Sequence, residues 1–198
     1  MRDDRSSADD SERSGASIGS DMRIYIACGL THVPRGIFEA YVGFLHGLAA
    51  GFRRLPEVSS VKYALVDSDP QLSLKPRADQ AALCYDWDRR MVEDADLVVA
   101  DASFPSTGLG IELQIAEAAG KPVIMLIGDQ GINRAPRAHY RNPDQTDHEL
   151  QIGEGIVSLM ALGLPTIRKV VEYSDFSVGM MHAIDAVRLY SQLPPGPV

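Results

Sequence analysis

The chain of 198 residues is poor in cysteine, in basic charge and in long apolar runs. Its two cysteines, Cys28 and Cys84, form neither a disulfide framework nor a metal-binding pattern, which predicts a reducing, cytoplasmic location. The net charge of −8 argues against a general nucleic-acid-binding protein, because a phosphate backbone needs a basic face. No apolar stretch approaches the roughly 18 residues of a membrane span, so we expect a soluble protein without membrane partners.

Motifs for metals and for common cofactors are also missing. The five histidines are scattered without ligand spacing, so no metal is predicted. The chain has no Gly-x-x-x-x-Gly-Lys-[Ser/Thr] loop, and Gly108-Leu109-Gly110 lacks the third glycine and the later acidic residue of a dinucleotide-binding turn. The amino-terminal residues do not show the order of charged, apolar and small residues that marks a signal peptide. We therefore expect a protein that works without a cofactor.

Apolar strands and amphipathic helices alternate along the chain. Strands are predicted at 23–27, 61–66, 97–100, 123–127 and 166–172. Helices are predicted at 36–53, at 79–93 with Asp79 as the cap, between the third and fourth strands, at 149–162 and at 176–190. This alternation implies right-handed parallel crossovers, and hence a flavodoxin-like or Rossmann-like α/β fold with about five parallel strands and helices on both faces.

Length and composition predict one domain. Residues 1–21 contain almost nothing to bury and are expected to form a disordered tail, whereas residues 22–192 should fold as a single α/β domain. Within that domain, residues 129–165 are expected to be an insertion, in which a long loop over 129–147 precedes an extra helix. The apolar stripe of that helix would consist of Ile152, Ile156, Leu159 and Met160.

The loop that follows the third predicted strand, with the sequence PSTGLG, is the strongest candidate for a ligand site. Open α/β sheets bind ligands at the carboxyl ends of their strands. Ser106 offers a hydroxyl, Gly108 and Gly110 let a substrate approach the backbone, and the amides that open the next helix can hold an anion. Glu112 should lie in the first turn of that helix, facing the same crevice. The helix dipole also favours a glutamate at such a position, so its presence alone does not establish chemistry.

Several segments of the chain form a recognisable set: a first strand IYIACG that contains Tyr25, then Asp88, the ADLVVAD strand, the PSTGLGIEL loop and the GKPVIML segment. In these features the chain resembles the nucleoside 2-deoxyribosyltransferase superfamily, and in particular its 2′-deoxynucleoside 5′-monophosphate N-hydrolases. The resemblance extends from about residue 23 to residue 127. It implies an enzyme that cleaves the N-glycosidic bond of a small-molecule nucleotide and forms a homodimer or a higher assembly.

The resemblance also implies roles for three side chains. Glu112 would be the nucleophile, Asp88 the acid that protonates the leaving base, and Tyr25 the group that holds Glu112 by a hydrogen bond. Two alternatives stay open from the residues themselves. Asp88 is also typical of an exposed helical aspartate beside Arg89 and Arg90, and Tyr25 of a core tyrosine whose hydroxyl is satisfied elsewhere.

Ser106 bears on the class of substrate. The nucleotide hydrolases have a serine here, where transferases for free nucleosides have an aspartate that would repel a phosphate. The resemblance thus favours a nucleotide, although an ordinary turn serine is an alternative. Further substrate and phosphate contacts are predicted in the loop after the first strand, which departs from the small-residue and arginine turn of the hydrolases. These candidates are Cys28, Gly29, Leu30, Thr31 and Arg35.

Two other functions remain compatible with the sequence. A 2-deoxyribosyltransferase would pass the sugar to a second base instead of water, and a nucleotide sensor would keep the pocket without turnover. The sequence defines neither the base nor the choice between ribose and deoxyribose.

Overall fold

The structure is a computed structural model that describes residues 21–193. The tail predicted at 1–21 therefore lies, except for its last residue, outside the described residues. The elements in chain order are β1 (Met22–Cys28), α1 (Phe38–Phe52), β2 (Val58–Tyr63), α2 (Ala64–Asp67), α3 (Asp69–Leu72), α4 (Arg77–Asp94), β3 (Leu97–Asp101), α5 (Thr107–Ala118), β4 (Val123–Gly128), β5 (His139–Arg141), β6 (Asp147–Glu149), α6 (Leu159–Leu162), β7 (Ile167–Tyr173) and α7 (Phe176–Ser191).

A five-stranded parallel sheet with the order β2-β1-β3-β4-β7 forms the centre of the molecule. This is the strand order of flavodoxin-like folds, so the predicted fold class is confirmed. Every residue of β3 and β4 is buried, as expected for central strands of a sheet that is covered on both faces. No helix among the described residues has the length and apolar character needed to cross a membrane.

The two faces of the sheet carry separate apolar cores. Helices α1 and α7 cover one face, and helices α4 and α5 cover the other. Because side chains alternate along a strand, Ile24 and Ile26 of β1 pack toward α1, whereas Tyr25 and Ala27 pack toward α4 and α5. This alternation fixes the face of the sheet on which Tyr25 lies.

A buried polar network ties together the carboxyl ends of β3 and β7 on the α1 side. The carboxylate of Asp101 accepts hydrogen bonds from the hydroxyls of Tyr41 at 2.9 Å and Tyr173 at 2.7 Å, and from the backbone N–H of Ser103 at 3.2 Å. A Cβ atom at Gly128 would lie 2.5 Å from the Tyr173 ring, so this close packing requires a glycine. The network anchors the chain immediately before the PSTGLG loop.

The region around β2 differs from the prediction. The strand ends at Tyr63, three residues before the predicted end, because Asp67 accepts a hydrogen bond from the Tyr63 N–H at 2.9 Å and the chain turns into α2. The polar stretch that follows contains α3 and is not a simple loop. Asp79 is not the cap of α4, because that helix already begins after Pro76 and Asp79 lies in its first turn.

The predicted long loop and helix of the insertion are both wrong. Strands β5 and β6 form an antiparallel hairpin, and only the four-residue helix α6 is present in the region of the predicted helix. Gly153 and Gly155 have φ angles of +53° and +83°, which an α-helix does not accommodate. The predicted apolar stripe therefore does not form, and the side chains of Leu159 and Met160 are exposed.

Candidate active site

Tyr25 and Glu112 form a buried pair on the α4–α5 side of the sheet. The hydroxyl of Tyr25 donates a hydrogen bond to Oε1 of Glu112. Helix α5 begins at Thr107, which makes Glu112 its sixth residue and places it in the second turn, one turn later than predicted. The helix dipole acts mainly on the first turn, so it does not account for a carboxylate that is only 9% exposed at this point.

The surroundings of Glu112 oppose its ionisation. Burial raises the pKa of this carboxyl, the hydrogen bond from Tyr25 lowers it and the charge of Asp88 raises it, which together bring the pKa to about 8. Burying an ionised carboxylate that has no positively charged partner costs free energy. Shifted carboxyl pKa values of this kind cluster at functional sites.

Asp88 lies on α4 and faces the same pocket. Its Oδ2 accepts a hydrogen bond from the Cys84 thiol at 3.4 Å, and its Oδ1 is shielded from solvent without a partner among the described residues. The alternative of an exposed aspartate paired with neighbouring arginines is not supported. Arg89 pairs with Glu93 at 2.7 Å, and Arg90 pairs with Asp86 at 3.5 Å.

A pocket of about 430 Å³ connects these groups at the carboxyl end of β1. Tyr25, Asp88 and Glu112 all line it, so the structure brings the three predicted catalytic residues together. Most of the predicted substrate-binding residues line it as well. These are Cys28, Leu30, Thr31, Ser106 and Gly108.

The other three predicted binding residues do not line the pocket. A Cβ atom at Gly29 would lie 2.7 Å from the Cβ of Ser106, so this glycine lets the loop after β1 pack against the PSTGLG loop. Arg35 is exposed, with its guanidinium 5.5 Å above the ring of Phe38. Gly110 lies within α5, and no atom outside that helix would contact a Cβ atom built there.

Ser106 is the N-cap of α5. Its Oγ accepts a hydrogen bond from the Leu109 N–H at 3.1 Å, which is the contact of an ordinary capping serine. The hydroxyl proton remains available to a ligand, because a serine hydroxyl can donate one hydrogen bond while its oxygen accepts another. The amides of Thr107 and Gly108 are among the first N–H groups of the helix, which have no partner inside it. Capping and anion binding are therefore compatible here.

The sequence did not single out Asp69, which lies at the start of α3 and lines the pocket. Partial burial and the nearby charge of Asp88 raise the pKa of its carboxyl. Cys84 was also missed as a site residue, although its position four residues before Asp88 on α4 places both side chains on one face of the helix. Among the described residues, no cluster of His, Cys, Asp and Glu has an arrangement that could hold a metal ion.

Comparison with known proteins supports the resemblance seen in the motifs. The chain is 39% identical over 61 residues to the 5-hydroxymethyl-dUMP N-hydrolase of Mus musculus and 38% identical over 61 residues to that of Rattus norvegicus. It is 45% identical over 42 residues to a Thermofilum pendens protein provisionally named 2′-deoxynucleoside 5′-phosphate N-hydrolase 1. The predicted resemblance to the nucleoside monophosphate N-hydrolases is thus confirmed over these segments.

The matched segments are partial. They cover 21% to 29% of this chain and 29% to 37% of the relatives' own lengths. No protein-family model matches the chain. Among solved structures, the chain is similar to a Clostridium botulinum CMP N-glycosidase, with a TM-score of 0.47 and 16% identity over 85% of this chain and 99% of that one. A conserved protein of Enterococcus faecalis V583 has a TM-score of 0.49 and 17% identity over 84% of this chain and 99% of that one. These scores are too low to support an argument about function.

Proposed function

We propose that the protein hydrolyses the N-glycosidic bond of a nucleoside 5′-monophosphate and releases the free base and a sugar 5-phosphate. The observation that carries this proposal is the buried Tyr25–Glu112 pair, which faces the same pocket as Asp88. The relatives named above are N-hydrolases of nucleoside 5′-phosphates, and the partial matches to them support the same class of substrate.

The first step in this proposal is attack by the Glu112 carboxylate on the anomeric carbon. The bond between that carbon and the base nitrogen breaks, and Asp88 gives its proton to the departing base. The positive charge that develops on the sugar favours the ionised form of Glu112, which the empty pocket disfavours. Tyr25 holds the attacking oxygen in place but does not itself exchange a proton.

The second step releases the sugar. Water attacks the anomeric carbon of the glycosyl ester, Asp88 takes a proton from that water, and the Glu112 carboxylate leaves. Both carboxylates return to their initial protonation states, and the net reaction consumes one water. No metal or cofactor takes part in this proposal.

The phosphate is assigned to the Ser106 end of the pocket. The Ser106 hydroxyl and the first amides of α5 provide donors, and the helix N-terminus favours an anion. Arg89 is the guanidinium that lines the pocket, but it is paired with Glu93 at 2.7 Å. Amides and hydroxyls therefore provide most of the phosphate contacts within one subunit.

A panel of nucleotides and their matching nucleosides tests this function. Free base is measured by chromatography, with and without a second base as acceptor. The proposal expects base release from at least one 5′-monophosphate without an acceptor. Release that requires the acceptor would indicate a transferase, and nucleotide binding without any release would indicate a sensor.

A further inference from the structure

The strand order determines which residues lie at each end of the pocket. In the order β2-β1-β3, the loop after β3 and the segment after β2 lie on opposite sides of the end of β1. Ser106 follows β3, Tyr25 lies on β1, and Asp69 follows β2. A nucleotide with its phosphate at Ser106 and its sugar at Glu112 therefore places its base beside Asp69 and α4. This assignment rests on the proposed function.

The polar groups at the base end are two carboxylates, which accept hydrogen bonds, and the Arg89 guanidinium, which is paired with Glu93 at 2.7 Å. Asp69 and Asp88 provide carboxylate oxygens, and Oδ1 of Asp88 is shielded from solvent without a partner among the described residues. The Cys84 thiol is held protonated, because burial and the charge of Asp88 raise its pKa to about 11. Its proton is directed at Oδ2 of Asp88, with a sulfur–oxygen distance of 3.4 Å, so it does not serve the ligand.

The remaining walls suit a planar ring. Ala64 and Ala81 are small, and Tyr85 contributes an aromatic ring that is 49% exposed. Asp69 remains in contact with solvent, and its partial burial together with the charge of Asp88 raises the pKa of the Asp69 carboxyl. A ligand with N–H donors would form hydrogen bonds with these two carboxylates. A ligand with a carbonyl oxygen at the same place would add a further acceptor, which the carboxylates would repel.

We infer that this site selects a base with an exocyclic amino group, such as cytosine or adenine, over the corresponding oxo base, with Asp69 as the residue that accepts the amino hydrogen. Carboxylates recognise the amino group of cytosine in this way in protein–DNA complexes. Asp88 remains the donor of the proton to the leaving base. The role of Asp69 is thus to determine specificity, and it does not take part in breaking the bond.

Two matched pairs of nucleotides test the inference, since CMP and UMP, like AMP and IMP, differ only in an amino or an oxo group and the accompanying ring proton. We expect kcat/KM to favour the amino member of at least one pair by roughly ten- to hundredfold, the range of a charge-assisted hydrogen bond. Asp69→Asn should reduce that ratio toward one or reverse it, because the amide can donate to a carbonyl oxygen.

Asp86→Asn is the matched control, because Asp86 lies on α4 outside the pocket and pairs with Arg90. It should leave the ratio unchanged. Asp69→Ser provides a second variant if Asp69→Asn does not fold. Equal kcat/KM for both members of each pair, a preference for the oxo member, or an unchanged ratio in the Asp69 variants would overturn the inference.

The dissociation constants of the same four nucleotides, measured by calorimetry, separate this inference from the proposed function. If no nucleotide releases base but CMP or AMP binds at least tenfold more tightly than its oxo partner, the hydrolase proposal fails and the base preference stands. If base is released without any preference in rate or binding, the hydrolase proposal stands and the role of Asp69 is wrong.

Discussion

The phenol of Tyr25 donates a hydrogen bond to the carboxylate of Glu112, across the interface between β1 and α5. The two residues are 87 positions apart in the chain, and the parallel crossover through β2 and β3 brings them together. The bond lowers the pKa of Glu112, whereas burial and Asp88 raise it to about 8. The balance of these effects determines when Glu112 can act as a nucleophile.

The first prediction is that the hydrogen bond from Tyr25 determines how the rate of base release depends on pH. Because Glu112 must be ionised to attack and Asp88 must be protonated to release the base, the pH profile of kcat/KM should be bell-shaped, with one limb that follows the pKa of Glu112 at about 8. Tyr25→Phe removes the bond that lowers this pKa, so that limb should move to higher pH and the rate at pH 7 should fall by about tenfold or more. The pH–rate profiles of both proteins are the measurement.

Tyr41→Phe is the control for this prediction. Tyr41 is also buried and also donates to a carboxylate, but its partner is Asp101 on the other face of the sheet. That variant should unfold more easily and keep the wild-type pH profile. An unshifted profile in Tyr25→Phe would show that the hydroxyl does not control the ionisation of Glu112.

The second prediction concerns stability. The pKa of Glu112 in the folded protein, about 8, is above its ordinary value of 4.5. The contribution of this carboxyl to the free energy of unfolding is therefore greatest below pH 4.5 and is lost as pH rises through 8. Glu112→Gln removes this dependence. Relative to wild type, its free energy of unfolding should increase between pH 5 and pH 9 by a few kcal/mol, on the order expected for such a shift.

Urea titrations at pH 5, 7 and 9 measure this difference. Glu117→Gln, on the same helix but outside the pocket, should show no such trend. A constant difference between Glu112→Gln and wild type at all three pH values would contradict the raised pKa.

The third prediction separates the two roles of Ser106. An aspartate is as good an N-cap as a serine, so Ser106→Asp should keep the stability of α5. Its charge should repel a phosphate, so the preference for a nucleotide over its nucleoside should narrow or reverse. Ser106→Ala should instead lose about 1 kcal/mol of stability with the cap. Equal kcat/KM for a nucleoside and its 5′-phosphate in the wild type would argue against a phosphate at Ser106.

The fourth prediction is that the protein forms at least a homodimer. The predicted helical stripe at 149–162 does not form, so this expectation rests on the resemblance to the superfamily and on the exposure of Leu159 at 52% and Met160 at 86%. Light scattering at micromolar concentration measures the mass. A monomer of 21.5 kDa would mean that one chain must bind the phosphate by itself.

The central strands and the PSTGLG loop could be predicted because their signals are local, whereas Tyr25 and Asp88 were assigned only through the family resemblance. The apolar runs of β3 and β4 and the glycine-rich loop between them lie within one short segment. The insertion could not be predicted from periodicity, because Ile152, Ile156 and Leu159 have helical spacing while Gly153 and Gly155 adopt left-handed backbone angles. A hydrophobic pattern does not report such angles.

The role of Asp69 could not be predicted for a different reason. Nothing in the sequence around an aspartate followed by a proline distinguishes it from an ordinary helix start. Its proximity to Asp88 arises only when the segment after β2 folds beside α4, and that contact depends on tertiary packing. Arg35 is the opposite case. The sequence suggested it as a phosphate contact, but in the structure its guanidinium packs on the ring of Phe38.

The most direct test of the account is the rate of base release by Glu112→Gln, compared with Glu117→Gln and with wild type on the best nucleotide. Loss of the covalent step should slow release by thousands-fold or more, while Glu117→Gln stays near the wild-type rate. A folded Glu112→Gln protein that keeps a tenth or more of the wild-type rate would contradict the assignment of Glu112 as the nucleophile.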